Sequence, residues 1–121
     1  MNERRKLLIV IIEDNDALRM ALARLLATRG HETESFASAE QFLGRAVAAR
    51  PHCILMDIDL GDRSGLELAR HPSVTGLLCP VIFMSGNEMH ELQVRALGCA
   101  FLRKPFTARA LIDPIRSMAR A

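Results

Sequence analysis

The sequence has no apolar segment long enough to cross a membrane, because its longest uninterrupted run, Leu7–Ile12, is only strand-length. The charged first residues are not followed by the longer apolar region and cleavage site of a signal peptide. The net charge of +2 is small and no Lys/Arg cluster stands out, so the composition does not favour nucleic-acid binding. We therefore expect a cytoplasmic protein that binds neither membranes nor nucleic acid directly.

Aromatic residues, cysteine and histidine are also scarce. Trp and Tyr are absent, which makes intrinsic fluorescence a poor readout. The three cysteines lack metal-like spacing and lie in or beside predicted strands, so we expect reduced thiols rather than a disulfide or zinc site: Cys53, Cys79 and Cys99. The histidines are scattered singly and are expected to be solvated or capping: His31, His52, His71 and His90. The length of 121 residues supports one domain with one core.

The sequence does contain four short apolar runs, each followed by a chemically capable residue. Leu7–Ile12 precedes Glu13-Asp14, Cys53–Met56 precedes Asp57, Val81–Met84 precedes Ser85, and Cys99–Leu102 precedes Arg103-Lys104-Pro105. Such runs between helical stretches are typical of parallel strands buried on both faces. Parallel strands present their carboxyl ends at one edge of an open sheet, where ligands bind. We therefore expect these side chains to converge.

Helical patterns separate the strands. Residues that can cap a helix stand before each of the longer ones: Asn15, Ser38, Asn87 and Thr107. The apolar face of the second helix continues to Ala46 and Val47, and the helix after Asn87 carries Met89, Leu92, Ala96 and Leu97 on one face.

Three further segments complete the pattern. The mostly polar segment His31–Phe36 suits an edge strand, a short helix is expected at about Leu66–Arg70, and His71–Pro80 is expected to be irregular. Pro114 lies inside the predicted last helix, where we expect a kink. Five strands alternating with five helices predict a doubly wound α/β fold with a parallel sheet.

The residues at the predicted sheet edge suit phosphoryl chemistry. Carboxylates of Glu13, Asp14 and Asp57 would repel one another, and Mg²⁺, which prefers oxygen ligands, relieves that repulsion. Lys104 can reach one phosphoryl oxygen with its ammonium group, and Ser85 can donate its hydroxyl to another. Phosphoryl transfer depends mostly on positioning and charge neutralisation, so this set is sufficient to hold a phosphoryl group on Asp57.

At these residues the chain resembles the receiver domain of two-component response regulators. The resemblance rests on Glu13-Asp14, Asp57, the turn through Gly65, Ser85, and Phe101 with Lys104-Pro105. It covers nearly the whole chain and implies one receiver domain over residues 1–121. It also implies a flavodoxin-like sheet with strand order 2-1-3-4-5, the order that a receiver of this type exemplifies.

The resemblance implies a role for each site residue. Asp57 would accept a phosphoryl group from a sensor histidine kinase or phosphotransfer protein. Asp14, Asp57 and the backbone carbonyl of Asp59 would bind Mg²⁺, while Glu13 acts through water. Ser85 and Phe101 would form the switch pair, with a cis Lys104–Pro105 bond.

The family's behaviour sets what we expect of the whole protein. It would be a phosphorylation-dependent switch with a protein-interaction face, and not an enzyme in the usual sense. It would nevertheless catalyse its own phosphoryl transfer and slow dephosphorylation. An effector domain, a separate protein target and a homodimer all remain open as outputs.

The sequence departs from the family pattern at three places. Gly61 stands where the family often has proline, and Asp59 adds a side-chain acid near the phosphoryl site. The segment from Ser85 to Lys104 is a few residues shorter than usual, in the region that forms the output surface of many relatives.

Two other functions compete with the receiver. Asp57-Ile58-Asp59 resembles the motif of haloacid-dehalogenase-type phosphatases, in which Asp57 would be the nucleophile and Asp59 the acid/base. Against it, Gly61 replaces the usual Thr or Val, and that motif normally lies on the first strand of a longer chain. A nucleotide-binding fold is disfavoured, because Glu13–Asp16 would repel phosphate and no Gly/Ser/Thr-rich cradle is present. We favour the receiver.

Overall fold

The computed structural model describes residues 5–45 and 49–120, and this part of the chain forms five strands and six helices. The strands are β1 (Leu8–Ile12), β2 (Glu32–Phe36), β3 (Cys53–Asp57), β4 (Val81–Ser85) and β5 (Ala100–Arg103). The helices are α1 (Asp16–Thr28), α2 (Ala39–Leu43), α3 (Gly65–Leu68), α4 (Pro72–Thr75), α5 (Met89–Ala96) and α6 (Ala108–Arg120). Helix α2 ends at Leu43 with Gly44 as its C-cap, so it is shorter than its sequence pattern predicted; Ala46 and Val47 lie outside the described residues.

The five strands form one parallel sheet in the order β2-β1-β3-β4-β5, which confirms the predicted topology. The polar strand β2 lies at an edge, as its sequence predicted. The central strands β1, β3 and β4 are almost wholly buried. Ile12 pairs with Met56 in the register of β1 and β3, so the residues that follow them emerge side by side.

Side chains of the sheet alternate between two apolar clusters, one on each face. Helices α1 and α6 cover the first face and contribute Leu22, Leu26, Leu111 and Ile115 to its cluster. Helices α2, α3, α4 and α5 cover the other face, through residues such as Phe42, Leu68, Val74 and Val94. Burial on both faces explains why the strand sequences are continuous apolar runs rather than alternating ones.

Three of the predicted caps form as expected. Asn15 Oδ1 accepts from Leu18 N at 2.9 Å, Ser38 Oγ from Gln41 N at 3.0 Å, and Thr107 Oγ1 from Ala110 N at 3.2 Å. These side chains satisfy amide groups that have no partner within the first turn of a helix. The N-cap of α5 is Glu88 instead of Asn87, although Asn87 Oδ1 still accepts from Met89 N at 2.9 Å.

The segment predicted to be irregular contains a sixth helix, so the expected count of five was one too low. Helix α4 is a single turn that begins at Pro72, whose fixed φ and missing N–H suit the first helical position. His71 Nδ1 caps it by accepting from Ser73 N at 3.0 Å. The helix continues only to Thr75 because Gly76 follows it.

The apolar face expected on α5 is exposed to solvent. Met89 and Leu92 are 70% and 73% exposed, and Leu97, which follows the helix, is 49% exposed. Val94 is the buried residue of α5 instead. The short helix buries this one apolar side chain, and its longer apolar stripe stays uncovered.

The cysteines follow expectation, and so do two of the four histidines, the exposed His52 and the capping His71. All three cysteines are free thiols, with Cys53 buried and the other two half-buried. His31 departs from the expected solvated or capping role, because it is buried and its Nδ1 accepts from Leu7 N at 3.1 Å. Among the described helices, none has the length and apolar character needed to cross a membrane.

Candidate functional site

Three carboxylates meet where β1 and β3 end at the same edge of the sheet. Glu13 and Asp14 follow β1, and Asp57 ends β3. One oxygen from each lies within 4.8 Å of the others. Glu13 and Asp57 are buried, whereas Asp14 is exposed, so the cluster opens to solvent on the side of Asp14.

Lys104, which follows β5, supplies a positive charge to this cluster. Its Nζ donates to Glu13 Oε1 at 2.7 Å and lies 3.3 Å from Asp57 Oδ2. The backbone also joins the ends of β4 and β5, because Lys104 N donates to Ser85 O at 2.8 Å. The following bond to Pro105 is cis, as the resemblance implied.

Glu13 is held directly by protein groups on both carboxylate oxygens. Oε1 accepts from Lys104, and Oε2 accepts from Asn15 N at 3.0 Å. Its backbone carbonyl accepts from Arg19 Nη1 at 2.9 Å, and the same guanidinium pairs with Asp16 at 2.6 Å. The role of Arg19 was not apparent from the sequence, because a basic residue in the first turn of a helix has no distinguishing spacing.

Burial and charge repulsion act on the protonation of Asp57. Burial raises the pKa of Asp57 to about 7, and the neighbouring Glu13 charge adds to this effect. The N–H of Asp59, which donates to Asp57 Oδ1 at 3.1 Å, and the charge of Lys104 lower the pKa but do not offset the rise. For Lys104 itself, burial lowers the pKa, but the hydrogen bond to Glu13 and the charges of both acids outweigh it, so the net shift is upward.

The donor set fits a hard divalent cation. All three clustered side chains offer carboxylate oxygens, the ligand type that Mg²⁺ and Ca²⁺ prefer, and no soft sulfur donor takes part in the cluster. The pKa of Asp57 stays raised although Lys104 is nearby, so this one ammonium does not offset burial and the Glu13 charge. A cation here would therefore relieve repulsion that is already built into the site.

The loop after Asp57 folds back tightly on the end of β3. Gly65 N donates to Ile58 O at 2.8 Å, and Asp59 forms a bridge with Ser64. A Cβ on Gly65 would lie 2.3 Å from the backbone oxygen of Asp57, which no side chain could tolerate. Gly65 is therefore required at this turn because backbone passes directly against backbone.

The same loop is tied to α2 by an acid that the sequence did not single out. Asp62 Oδ2 accepts from Glu40 N at 3.1 Å and Oδ1 from Ala39 N at 3.4 Å, which caps α2 from a distant loop. Gly61 beside it adopts a φ of +85°, a conformation that suits glycine. Proline, which the family often has here, cannot adopt this positive φ because its ring fixes φ at a negative value.

Ser85 is buried at the end of β4 within a small polar network. Its Oγ lies 2.8 Å from His90 Nδ1 and accepts from Asn87 N at 3.0 Å. Asp59 Oδ2 lies 3.5 Å from the same oxygen, at the outer limit of a hydrogen bond. His90 was expected to be solvated or capping, and this bond shows otherwise.

Phe101 does not join the acidic cluster. It lies in β5 opposite Phe83 of β4, half-buried against the apolar cluster on the α5 side of the sheet. It is thus close in the fold to the end of β4, where Ser85 lies, but the two residues belong to different environments.

Comparison with known proteins decides between the competing functions. The family model of the response regulator receiver domain matches residues 9–116. The chain belongs to the response regulator receiver family. It is a receiver domain of two-component signalling, a phosphoacceptor module rather than an enzyme of the usual kind. The dehalogenase-type alternative is not supported.

Related proteins of known role are similar over the receiver but are longer. The chain is 38% identical over 110 residues to the transcriptional regulatory protein FixJ of Azorhizobium caulinodans, covering 88% of this chain and 52% of FixJ. It is 31% identical over 116 residues to the response regulator protein TodT of Pseudomonas putida, covering 93% of this chain and 51% of TodT. The receiver thus spans about half the length of these relatives.

Solved structures agree with the fold. A response regulator receiver protein from Burkholderia phymatum matches with a TM-score of 0.78 and 28% identity, covering 94% of this chain and 95% of that chain. A two-component response regulator from Clostridium difficile matches with a TM-score of 0.83, covering 95% and 97% of the two chains. Its identity is only 20%, so that likeness supports the fold alone.

Proposed function

We propose that Asp57 is the phosphoacceptor of this receiver. The observation that carries the proposal is the contact of its buried carboxylate with Lys104 at 3.3 Å, beside the acids Glu13 and Asp14. Asp57 ends β3 at the cluster and lies beside an ammonium group able to neutralise an incoming phosphoryl oxygen, whereas both carboxylate oxygens of Glu13 are already held by Lys104 and Asn15. A carboxylate oxygen would form the new P–O bond while the P–N bond of a phosphohistidine donor breaks.

Mg²⁺ is the cation proposed for this site. Asp14, Asp57 and the backbone carbonyl of Asp59 would hold it, with Glu13 acting through water. When bound, the cation supplies charge neutralisation for the acids and the incoming phosphoryl group. Lys104 would orient one phosphoryl oxygen, and the backbone N–H of Asp59 holds Asp57 Oδ1 in place before the reaction.

Ser85 and Phe101 are proposed as the switch that follows phosphorylation. A phosphoryl group adds a charge of about −1.5 to −2 and three acceptor oxygens when placed on a hydroxyl, and a comparable load is expected on Asp57. The hydroxyl of Ser85 would move to donate to one of these oxygens. Phe101, half-buried in β5 beside β4, would then turn inward and alter the surface around α5, β5 and α6.

The proposed partners follow from the family. The phosphoryl donor would be a sensor histidine kinase or a phosphotransfer protein in the cytoplasm. Because the relatives are about twice as long, an effector domain is one proposed recipient of the switch, and a separate protein target or a second receiver are the others. Residues 1–121 would form the receiver itself. We do not expect this domain to bind nucleic acid or membranes directly.

The reaction stoichiometry separates a phosphoacceptor from a phosphatase. Incubation with acetyl phosphate and Mg²⁺ should add one phosphoryl group per chain, followed by slow loss of phosphate through the domain's own dephosphorylation. Mass spectrometry measures the label, and a generic aryl phosphate tests for turnover. Rapid multiple turnover of the aryl phosphate without accumulation of labelled protein would contradict the proposal.

A further inference from the structure

The hydroxyl of Ser85 has one proton and two candidate acceptors. A serine hydroxyl donates one hydrogen bond and accepts up to two. The Asn87 N–H already occupies one acceptor position of Ser85 Oγ. The proton can therefore go to His90 Nδ1 at 2.8 Å or to Asp59 Oδ2 at 3.5 Å. The first distance is ideal for an O–H donor and the second is at the limit, so His90, in the tautomer with no proton on Nδ1, is the better acceptor.

We propose that His90 Nδ1 accepts a hydrogen bond from the Ser85 hydroxyl and holds that hydroxyl away from the phosphoryl site until Asp57 is modified. The inference rests on the proposed function, because it concerns the same hydroxyl. One proton cannot serve two acceptors, so His90 and a phosphoryl oxygen compete for it. His90 is thus a positioning residue that acts through Ser85 and sets how strongly the receiver holds a phosphoryl group.

The location of His90 connects this competition for the Ser85 hydroxyl to the protein surface. His90 lies in the first turn of α5, beside the exposed side chain of Met89. Val94 is the buried residue of α5, so the bond from His90 to Ser85 is a substantial part of what fixes the start of this helix to the sheet. Loss of the bond when Asp57 is modified would free the first turn of α5.

The loop that follows Asp57 and the side chain of His90 line the same open cleft. It has a volume of about 480 Å³ and is lined by residues 58–64 and by His90. Movement of the His90 ring would therefore change both the cleft beside the proposed phosphoacceptor Asp57 and the surface of α5. This links the state of Asp57 to α5 without requiring Phe101.

A double-mutant cycle with beryllofluoride, a mimic of the phosphoryl group on Asp57, tests the proposal. Affinity is measured by NMR titration in excess Mg²⁺, since the chain lacks Trp and Tyr. His90→Phe keeps a ring of similar size but removes the acceptor nitrogen, so it should bind beryllofluoride about three- to tenfold more tightly, the size expected from one net hydrogen bond. His90→Asn, which keeps an acceptor oxygen, should stay near wild type.

Two controls show whether the effect passes through Ser85. In a Ser85→Ala background, His90→Phe should leave the affinity unchanged, because no hydroxyl remains to release. Gln93→Ala, at an exposed position on the same helix, should behave as wild type. Unchanged or weaker binding by His90→Phe would overturn the inference, and so would tightening that persists without Ser85.

The wild-type protein provides a test that needs no substitution. Long-range ¹⁵N–¹H NMR of the free receiver should show His90 Nδ1 without a proton, and a protonated Nδ1 would overturn the inference. Failure of the wild type and all variants to bind beryllofluoride would instead contradict the proposed function, and with it this inference. The two failures are therefore distinguishable.

Discussion

Lys104 Nζ lies closer to Glu13 Oε1, at 2.7 Å, than to Asp57 Oδ2, at 3.3 Å. In the unmodified receiver the ammonium is thus shared between a fully buried acid and the proposed acceptor. A phosphoryl group on Asp57 would offer it a third partner of higher charge. Glu13 therefore holds Lys104 in position beside Asp57 before the reaction takes place.

Removal of the Lys104 charge should destabilise the fold through Glu13. Lys104→Met leaves the Glu13 carboxylate buried without its cation, which should lower the free energy of unfolding by about 2 kcal/mol. This is less than for a fully buried pair, because the Lys104 side chain is 24% exposed. Urea unfolding in metal-free buffer measures the effect.

A matched variant shows whether Glu13 is the cause. In the double variant Glu13→Gln/Lys104→Met, most of the lost stability should return, because no uncompensated charge remains on Glu13. The neighbouring Arg103 is not expected to replace the lost cation, because its guanidinium pairs with Glu88 at 3.1 Å. Additive losses from the two substitutions would show that Lys104 acts independently of Glu13.

The stability of the metal-free receiver should depend on the pH through Asp57. The pKa of Asp57 is raised to about 7 in the folded state, chiefly by burial. Between its unfolded value of about 4 and pH 7 the folded state therefore retains a proton that the unfolded state releases, so stability falls as the pH rises through this window. Asp57→Asn stays neutral and should lose this dependence.

The expected result is a difference in melting temperature that appears only at higher pH. Asp57→Asn should melt roughly 5 °C above wild type at pH 8 and near wild type at pH 4, with EDTA present. Asp113→Asn, at an exposed position on α6, serves as the control. If the two melting temperatures differed by the same amount at both pH values, burial and the Glu13 charge would not raise the pKa of Asp57 as stated.

Metal affinity should depend on Asp14 more than on Glu13. Asp14→Ala removes a proposed Mg²⁺ ligand and should weaken binding by about tenfold or more, since loss of even an outer-shell partner often has this effect. Glu13→Ala should be milder, because both Glu13 oxygens are already held by Lys104 and Asn15. Calorimetry measures both, and unchanged affinity in the Asp14 variant would remove it from the ligand set.

Phosphorylation should alter the region from Ser85 to Lys104 and the final helix. Amide hydrogen exchange with and without beryllofluoride should show changes there, because Ser85 and Lys104 are the residues proposed to donate hydrogen bonds to the phosphoryl oxygens. The distant edge strand β2 should exchange equally in both states. Changes confined to the loop after Asp57 would show that the proposed switch is wrong.

The sheet and its edge could be predicted from the sequence because burial on both faces leaves a direct pattern. Continuous apolar runs identified β1, β3 and β4, and the residues that follow them identified Glu13, Asp14 and Asp57. The helix α4 was missed because a single turn carries no periodicity, and its Pro72 indicates a break as readily as a start. The exposed face of α5 was missed because periodicity shows that a face exists, not whether anything covers it.

The supporting contacts of the site could not be predicted because they join residues far apart in the chain. Asp62 caps α2 across more than 20 positions of sequence, and Lys104 meets Glu13 across 91. His90 is only five positions from Ser85, yet its bond depends on where the segment after β4 places the first turn of α5. A lone histidine gives no signal of such a contact in one sequence.

Identification of the phosphorylated residue tests the central claim most directly. After reaction with acetyl phosphate and Mg²⁺, the label should be found on Asp57 alone by peptide mass spectrometry. Asp57→Asn should abolish labelling, while Asp59→Asn, two residues away and exposed, should still be labelled. Persistent labelling of the Asp57→Asn variant to the wild-type level would contradict the account.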